Sequence, residues 1–204
     1  MSVQSAHFEM LHAQPDPWGV TRRWYEQRKR ALLMASLPQA RFSRCWEAGC
    51  SVGALTAALA ERCEAVVATD AAAAAVERAS QRLSAFGHVR VERQALPDVW
   101  PDGTFDLIVV SELAYYLDAG ALDRFVDGLP GMLREGGTLV ACHWRWPFDD
   151  RRLETDRIHA AFARIGLPSL LSYRDADIAL DAWGPGRSVA QAEGLVPVPA
   201  EASA

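Results

Sequence analysis

Cys45-Trp46-Glu47-Ala48-Gly49-Cys50-Ser51-Val52-Gly53, followed by Ala54-Leu55-Thr56-Ala57-Ala58-Leu59, is the stretch whose reading decides the fold. Its start reads as a strand ending in a carboxylate, its two glycines as a turn, and Val52, Leu55 and Leu59 as one face of a helix. Glycine permits the sharp bend and leaves room for a ligand where a Cβ would stand.

Working outward, the alternation repeats. Ala65-Val66-Val67-Ala68-Thr69 is a second strand ending at Asp70, and Val76, Ala79, Leu83 and Phe86 follow at helical spacing. Val89-Arg90-Val91-Glu92 makes a short third strand. Phe105-Asp106-Leu107-Ile108-Val109-Val110 is the most hydrophobic strand, and it runs into Ser111-Glu112-Leu113-Ala114-Tyr115-Tyr116. The next helix carries Leu122, Phe125, Val126, Leu129 and Leu133, with a kink or an end expected near Pro130-Gly131. Gly136-Gly137 then opens Thr138-Leu139-Val140-Ala141-Cys142-His143. Near-continuous apolar strands alternating with amphipathic helices imply a mostly parallel sheet covered on both faces, a doubly wound α/β fold. After a helix predicted over 154–165, residues 170–174 and 178–183 are separated by only a few polar residues. That is too short for a parallel crossover, so an antiparallel pair is expected.

Residues 1–40 read as an N-terminal aromatic helical segment. Asp16-Pro17-Trp18-Gly19 signals a turn, Thr21 is placed to cap a helix to about Leu37, and Tyr25, Leu32 and Leu33 share a face. Trp24 and Tyr25 either pin this helix to the domain or make it a lid over a ligand. The α/β domain is expected over 41–183, and the Pro-, Gly- and Ala-rich tail over 184–204 is expected to be disordered.

Composition narrows the partners. The 204 residues are 50% hydrophobic and carry a net charge of −5. This argues against a nucleic-acid partner bound by phosphate neutralisation. No apolar run reaches membrane-spanning length and no leader pattern opens the chain, so a cytoplasmic protein acting on a small molecule is expected. Cys45, Cys50, Cys63 and Cys142 show no Cys-x-x-Cys spacing and read as small apolar residues rather than metal ligands.

In doubly wound sheets the ligand lies beyond the carboxyl ends of the strands, with an acid after strand 2 on a ribose. Asp70 holds that place, close to the roughly 20 residues from the glycine turn that such an acid keeps. The third glycine of a dinucleotide fingerprint is missing, and Glu47 would face a pyrophosphate with like charge. A cationic ligand without phosphate fits better: S-adenosyl-L-methionine offers a ribose diol, an ammonium and a sulfonium. The plainer readings are a surface ion pair for Glu47 and a helix cap for Asp70.

The residues also carry a resemblance. Glu-x-Gly-x-x-x-Gly, an Asp after strand 2, Phe-Asp-Leu-Ile before an acidic turn, and Leu-x-x-Gly-Gly before strand 5 resemble the class I S-adenosylmethionine-dependent methyltransferases. More narrowly, Asp16-Pro17-Trp18-Gly19, Trp24-Tyr25-Glu26-Gln27-Arg28-Lys29, the opening turn with Leu55-Thr56, Ser111-Glu112 with Tyr115-Tyr116-Leu117, and His143-Trp144 are similar to the nodulation protein S family. The resemblance implies a Rossmann-like, mostly parallel seven-stranded sheet with an antiparallel last strand. It also implies N-methylation of a free amino group on an amino-sugar oligosaccharide. It puts Glu47, Gly49, Ser51 and Gly53 around the methionine and ribose, Asp70 on the ribose hydroxyls, and Ser111 and Glu112 near the methionine or the substrate. Ser51 replaces a glycine common in the wider superfamily. Gln94-Ala95-Leu96 stands where many members have an acid for the adenine amine, and the Gln94 carbonyl is the candidate acceptor.

An amine must be neutral to attack a methyl group, so a proton acceptor is sought at the ends of strands 4 and 5. His143 is the first candidate, with Glu112 and Tyr115 beside it. Trp18, Tyr25, Arg28, Tyr116 and Trp144 are the candidate substrate contacts, the aromatic ones for sugar rings. A rival reading takes Gly49-Cys50-Ser51-Val52-Gly53 as the Gly-x-Ser-x-Gly elbow of a serine hydrolase, with His143 or His159 completing a triad. Other open readings are O- or N-methylation of another small metabolite and a non-catalytic S-adenosylmethionine-binding subunit. The oligomeric state is not legible.

Overall fold

Strand β1 (Phe42–Ala48) is buried on both faces because its neighbours cover it from both sides: Cys45 and Ala48 as well as Trp46 have no exposed surface. It pairs in parallel with β2 (Cys63–Asp70) on one side and β4 (Phe105–Ser111) on the other, with Glu47 level with Ala68 and Val109. Strand β3 (Val89–Arg93) extends the sheet beyond β2, and β5 (Leu133–Trp144) extends it beyond β4, all in parallel. The computed structural model describes residues 8–185 and 187–197. Its sheet has seven strands in the order β3-β2-β1-β4-β5-β7-β6, where β6 is Ser169–Arg174 and β7 is Ile178–Trp183. The chain reverses direction across the sheet between β1 and β4, and the carboxyl ends of those strands border the crevice where doubly wound folds bind ligands.

The alternation of strand side chains divides the core. Trp46, Ile108 and Val110 face α4 (Ala119–Met132) and α5 (Thr155–Ala163), packing with Phe125, Leu129, Ile158 and Phe162. Cys45, Leu107, Val109 and Cys142 face the other way, toward Leu33 of α1 (Trp24–Ser36) and Leu59 of α2 (Ala54–Ala60). Helix α3 (Ala73–Arg82) sets Ala79 against the opening turn at Cys50. All four cysteines are buried and unpaired. No helix among the described residues is long and apolar enough to cross a membrane.

The doubly wound sheet and the antiparallel pair match the expectation. Strand β7 lies between β5 and β6 and is antiparallel to both, so the reversed strand is internal rather than at the edge. Several local details differ. Thr21 does not cap α1: its hydroxyl donates to Asp16 Oδ2 at 2.7 Å, and Asp16 also accepts from Val20 N at 2.8 Å, which closes the preceding turn. Trp24 is 73% exposed and pins nothing, whereas Tyr25 packs edge-on against Trp144 at 4.7 Å. Helix α4 continues through Pro130 to Met132, and β5 begins at Leu133, ahead of Gly136. In the described part of the tail, a Ser188–Gln191 capping box starts the short helix α6 (Val189–Ala192), a local signal that the Pro and Gly content obscured.

Gly53 caps α2 with a φ of +77°, and a Cβ there would lie 3.2 Å from Ala79 Cα and 3.0 Å from Leu83 Cδ1. Left-handed backbone and a tight helix contact add together. Gly53→Ala is expected to destabilise the protein by roughly 1–3 kcal/mol in urea melts; an unchanged midpoint would mean α2 and α3 can separate freely.

Candidate active site

A cavity of about 770 Å³ lies at the carboxyl ends of β1, β2, β4 and β5 and is roofed by the N-terminal segment. That volume is in the range of small-molecule and cofactor sites. Seven carboxylates and three basic side chains line it, so its field favours cations.

The opening turn is built by backbone hydrogen bonds. Gly49 N and Cys50 N both donate to Thr69 O at 2.9 Å, which ties the end of β1 to β2. Gly49 has a φ of +80°, and a Cβ on it would come within 3.2 Å of Leu113. Ser51 is left-handed too, at +48°, although it is not glycine. Its N–H donates to Asp70 Oδ2 at 2.9 Å and its Oγ lies 3.2 Å from His12 Nε2. The turn thus needs left-handed residues at 49, 51 and 53 to aim N–H groups at β2.

Asp70 lines the cavity with Oδ2 on Ser51 N and Oδ1 on Ala72 N at 3.0 Å. Burial pushes its carboxyl up from the ordinary range, against the opposing pull of those backbone N–H groups and His12. Asp70 does not cap α3, whose N-cap residue is Ala72 with no side-chain cap; its oxygens bind backbone N–H groups of the turn and keep lone pairs for a ligand. Gln94, Ala95 and Leu96 line the same cavity. Gln94 Nε2 donates to Glu92 Oε2 at 2.9 Å, leaving Gln94 Oε1 buried without a hydrogen-bond partner.

Glu47 and Gly53 stand behind the cavity wall and not in it. Glu47 is only 2% exposed and accepts the Thr56 hydroxyl at 2.5 Å. Burial raises its carboxyl to about 8, with Thr56 opposing and the charge of Asp70 adding. It is not a surface ion pair, and it lies under the turn rather than in the cavity lining. Gly53 meets α3, as described above.

At the end of β4, Ser111 and Glu112 both reach the cavity. Glu112 is a non-glycine residue at φ +58°, a strained conformation that its surroundings enforce. Glu112 N donates to Cys142 O at 2.9 Å, and the Tyr115 hydroxyl donates to Glu112 Oε2. Glu112 Oε1 is buried without a hydrogen bond, with Lys29 Nζ 3.4 Å away. Lys29 also pairs with Glu26 at 2.8 Å. Trp18, Tyr25, Tyr115, Tyr116 and Trp144 all face the cavity, and Phe148 packs edge-on against both Tyr115 and Tyr116.

Two sequence candidates are corrected. Arg28 points away, toward the β6–β7 turn, donating to Asp175 at 2.5 Å and to the Tyr173 hydroxyl at 3.0 Å. His143 is fully buried and outside the cavity. Its Nε2 accepts from Ala114 N at 3.2 Å, which puts the ring proton on Nδ1, facing His159 Nε2 at 3.1 Å. His159 Nδ1 in turn meets Asp181 Oδ2 at 2.5 Å, and Arg174 closes the chain on Asp181. With every nitrogen engaged, neither histidine reaches Ser51, so the hydrolase triad is not assembled. His12, Glu26 and Lys29 are among the cavity residues that the sequence reading did not name as site candidates; only the i, i+3 spacing of Glu26 and Lys29 hinted at a pair.

A sequence profile of nodulation protein S matches residues 7–146, more than half of the chain. The nodulation protein S of Sinorhizobium fredii is 32% identical over 143 residues, covering 68% of this chain and 66% of that protein. The one from Rhizobium tropici is 33% identical over 130 residues, covering 63% of this chain and 55% of that protein. The chain belongs to the nodulation protein S family. It spans less than two thirds of the length of these curated relatives. Among solved structures, the N-methyltransferase NodS from Bradyrhizobium japonicum WM9, in complex with S-adenosyl-L-homocysteine, superposes with a TM-score of 0.81 at 24% identity. That match covers 90% of this chain and 98% of that one. A Pseudomonas syringae structure assigned to a methyltransferase is 46% identical, with a TM-score of 0.72, covering 79% of this chain and 99% of that one. The fold is that of the class I methyltransferases.

In this nodulation protein S family member, burial holds His143 well below its ordinary pKa, with the nearby His159, Lys29 and Arg151 adding to the effect. A histidine kept neutral in the fold but free to charge when unfolded makes the unfolded state bind more protons as pH falls through about 6.5. Stability from this source is present above that pH and lost below it. Glu47, raised by burial, contributes in the opposite sense as pH falls, so the His143 contribution is read by difference: the melting temperature of the native protein relative to that of His143→Gln is expected to drop between pH 7.5 and 5.5. Parallel slopes would exclude His143 as the coupled group.

Proposed function

We propose that the chain is an S-adenosylmethionine-dependent methyltransferase acting on a free amino group, with an amino-sugar or oligosaccharide amine as the substrate class. The observation that carries this reading is one acidic cavity that holds Gln94 Oε1, a buried acceptor without a hydrogen-bond partner, together with Glu112 Oε1, whose neighbour is Lys29 Nζ at 3.4 Å. A buried acceptor left unmade costs about 1–3 kcal/mol, so Gln94 Oε1 is placed to take a donor from a ligand. The cofactor brings an adenine amine, a ribose diol and an ammonium, all donors, and no phosphate that the acidic wall would repel. The residues present therefore fit it.

Gln94 Oε1 would accept from the adenine amine, with Ala95 and Leu96 along the ring, and the second lone pairs of Asp70 would take ribose hydroxyls. Gly49 and Ser51 shape the backbone floor. When bound, the cofactor supplies an electrophilic methyl group on a sulfonium. The protein's part is to align an amine with that group, to exclude water and to accept a proton. Glu112 is the proposed proton acceptor in place of His143, and Tyr115 steadies it. Trp18, Tyr25, Tyr116 and Trp144 offer apolar faces to sugar rings, and α1 with the preceding turn serves as the lid. The family relation, the N-methyltransferase name of one structural neighbour and its bound S-adenosyl-L-homocysteine support the same reading. The net charge of −5 favours a small-molecule substrate over a phosphate-rich one.

Calorimetry with Asp70→Ala is expected to show at least tenfold weaker cofactor binding, about 1.4 kcal/mol; an unchanged affinity would sink the ribose assignment. Mass spectrometry of a reaction offered chitosan-type oligosaccharides and simpler amines is expected to show a gain of one methyl on the amino sugar. Transfer only to a hydroxyl or to a simple metabolite would reassign the substrate. Binding without transfer to any acceptor would make the chain a non-catalytic subunit.

A further inference from the structure

Two residues of α1 have no part in the methyltransferase reading on which this inference rests. Lys29 Nζ is buried, 2.8 Å from Glu26 Oε2, 3.4 Å from Glu112 Oε1 and 5.3 Å from the centre of the Tyr25 ring. Removing an ammonium from water is costly unless it is paired, and an apolar side chain of equal length would fill the same space without that cost. The charge itself needs a reason. Glu112 offers one, because it is strained at φ +58°, held on one oxygen by Tyr115, and has the other in the cavity wall beside Lys29.

We propose that Lys29, clamped by Glu26, is a positioning residue that holds Glu112, by charge and by geometry, as the proton acceptor for the amine substrate. The groups facing Glu112 are Tyr25, Glu26 and Lys29 from α1, Tyr115 and Tyr116 from its own segment, and Cys142 from β5. Burial raises the two nearest tyrosines and the cysteine, so they stay neutral, and Glu26 is paired with Lys29. Lys29 is the single cation of the set. Burial pushes the Glu112 carboxyl up, and Lys29 pulls it back toward the ionised form. When an ammonium substrate enters, one N–H bond breaks and its electron pair stays on nitrogen as the attacking lone pair. The proton forms a new O–H bond at Glu112 Oε1 and is returned to water after release.

Two substitutions carry opposite signs. Lys29→Met keeps the length and removes the positive charge; Glu26→Gln removes a negative charge from the same cluster. In the protein without additions, carbon-13 NMR of the Glu112 carboxyl is expected to titrate at higher pH in Lys29→Met and at lower pH in Glu26→Gln. The acid limb of kcat/KM for amine methylation should move the same ways, with Lys29→Met at least tenfold down at pH 6.5 and recovering as pH rises. The substrate's own titration is common to all three proteins, so the differences belong to the enzyme. The double variant Lys29→Met with Glu112→Gln should lose no more than Glu112→Gln alone. Losses that are uniform across pH, with the Glu112 titration unmoved or moved alike by both substitutions, would overturn the proposal and leave Lys29 as a packing residue. Should Lys29→Met fail to fold, Lys29→Gln, which also removes the charge, takes its place in both measurements. A native protein that transfers no methyl group overturns the methyltransferase reading instead, and the NMR titration still reports whether Lys29 governs Glu112.

Discussion

A carboxylate removed from water must lose its charge, collect N–H donors or find a cation. This protein meets that constraint in a different way at the end of each of three adjacent strands. At the end of β1, Glu47 is raised to about 8 and takes one hydroxyl, so it behaves as a largely neutral group under the turn. Asp70, after β2, takes backbone N–H groups from Ser51 and Ala72. Glu112, after β4, is paired with Lys29 and Tyr115. The sheet order places these three ends side by side, because β1 lies between β2 and β4. The chemistry of the crevice is therefore set by topology first and by the local partners of each acid second.

The sheet was legible because its signals are local and redundant. Apolar runs, glycine punctuation and the short link between β6 and β7 each constrain the same arrangement, and none depends on a distant residue. Asp70, Gln94 and Glu112 could be placed at the crevice because the carboxyl end of a parallel strand is a position that sequence order defines. Gly49 and Ser51 followed from the same logic, the serine adopting the left-handed backbone that its neighbours use.

What escaped the sequence depends on side-chain direction. Glu47 and His143 both lie at strand ends, but successive residues of a strand face opposite sides and only some face the crevice. His143 turns into the α5 side of the sheet, where His159 and Asp181 await it from two other elements. No periodicity reports that meeting. Arg28 and Lys29 are adjacent on one helix, yet one side chain reaches the β6–β7 turn and the other enters the cavity. A helix turns about 100° per residue, so the phase of α1 against the sheet decides which of the two is functional, and that phase is fixed by packing at Leu33 and Tyr25.

The histidine chain and the lysine cluster bear on the same segment from opposite sides. Ala114 N donates to His143 Nε2, so the buried chain running back to Arg174 holds the backbone two residues after Glu112. Lys29 and Tyr115 hold the Glu112 side chain. A left-handed glutamate persists only where its surroundings leave it no alternative, and here one anchor fixes its backbone while another fixes its carboxylate. Since the second anchor comes from α1, the helix that roofs the cavity also completes the charge balance inside it.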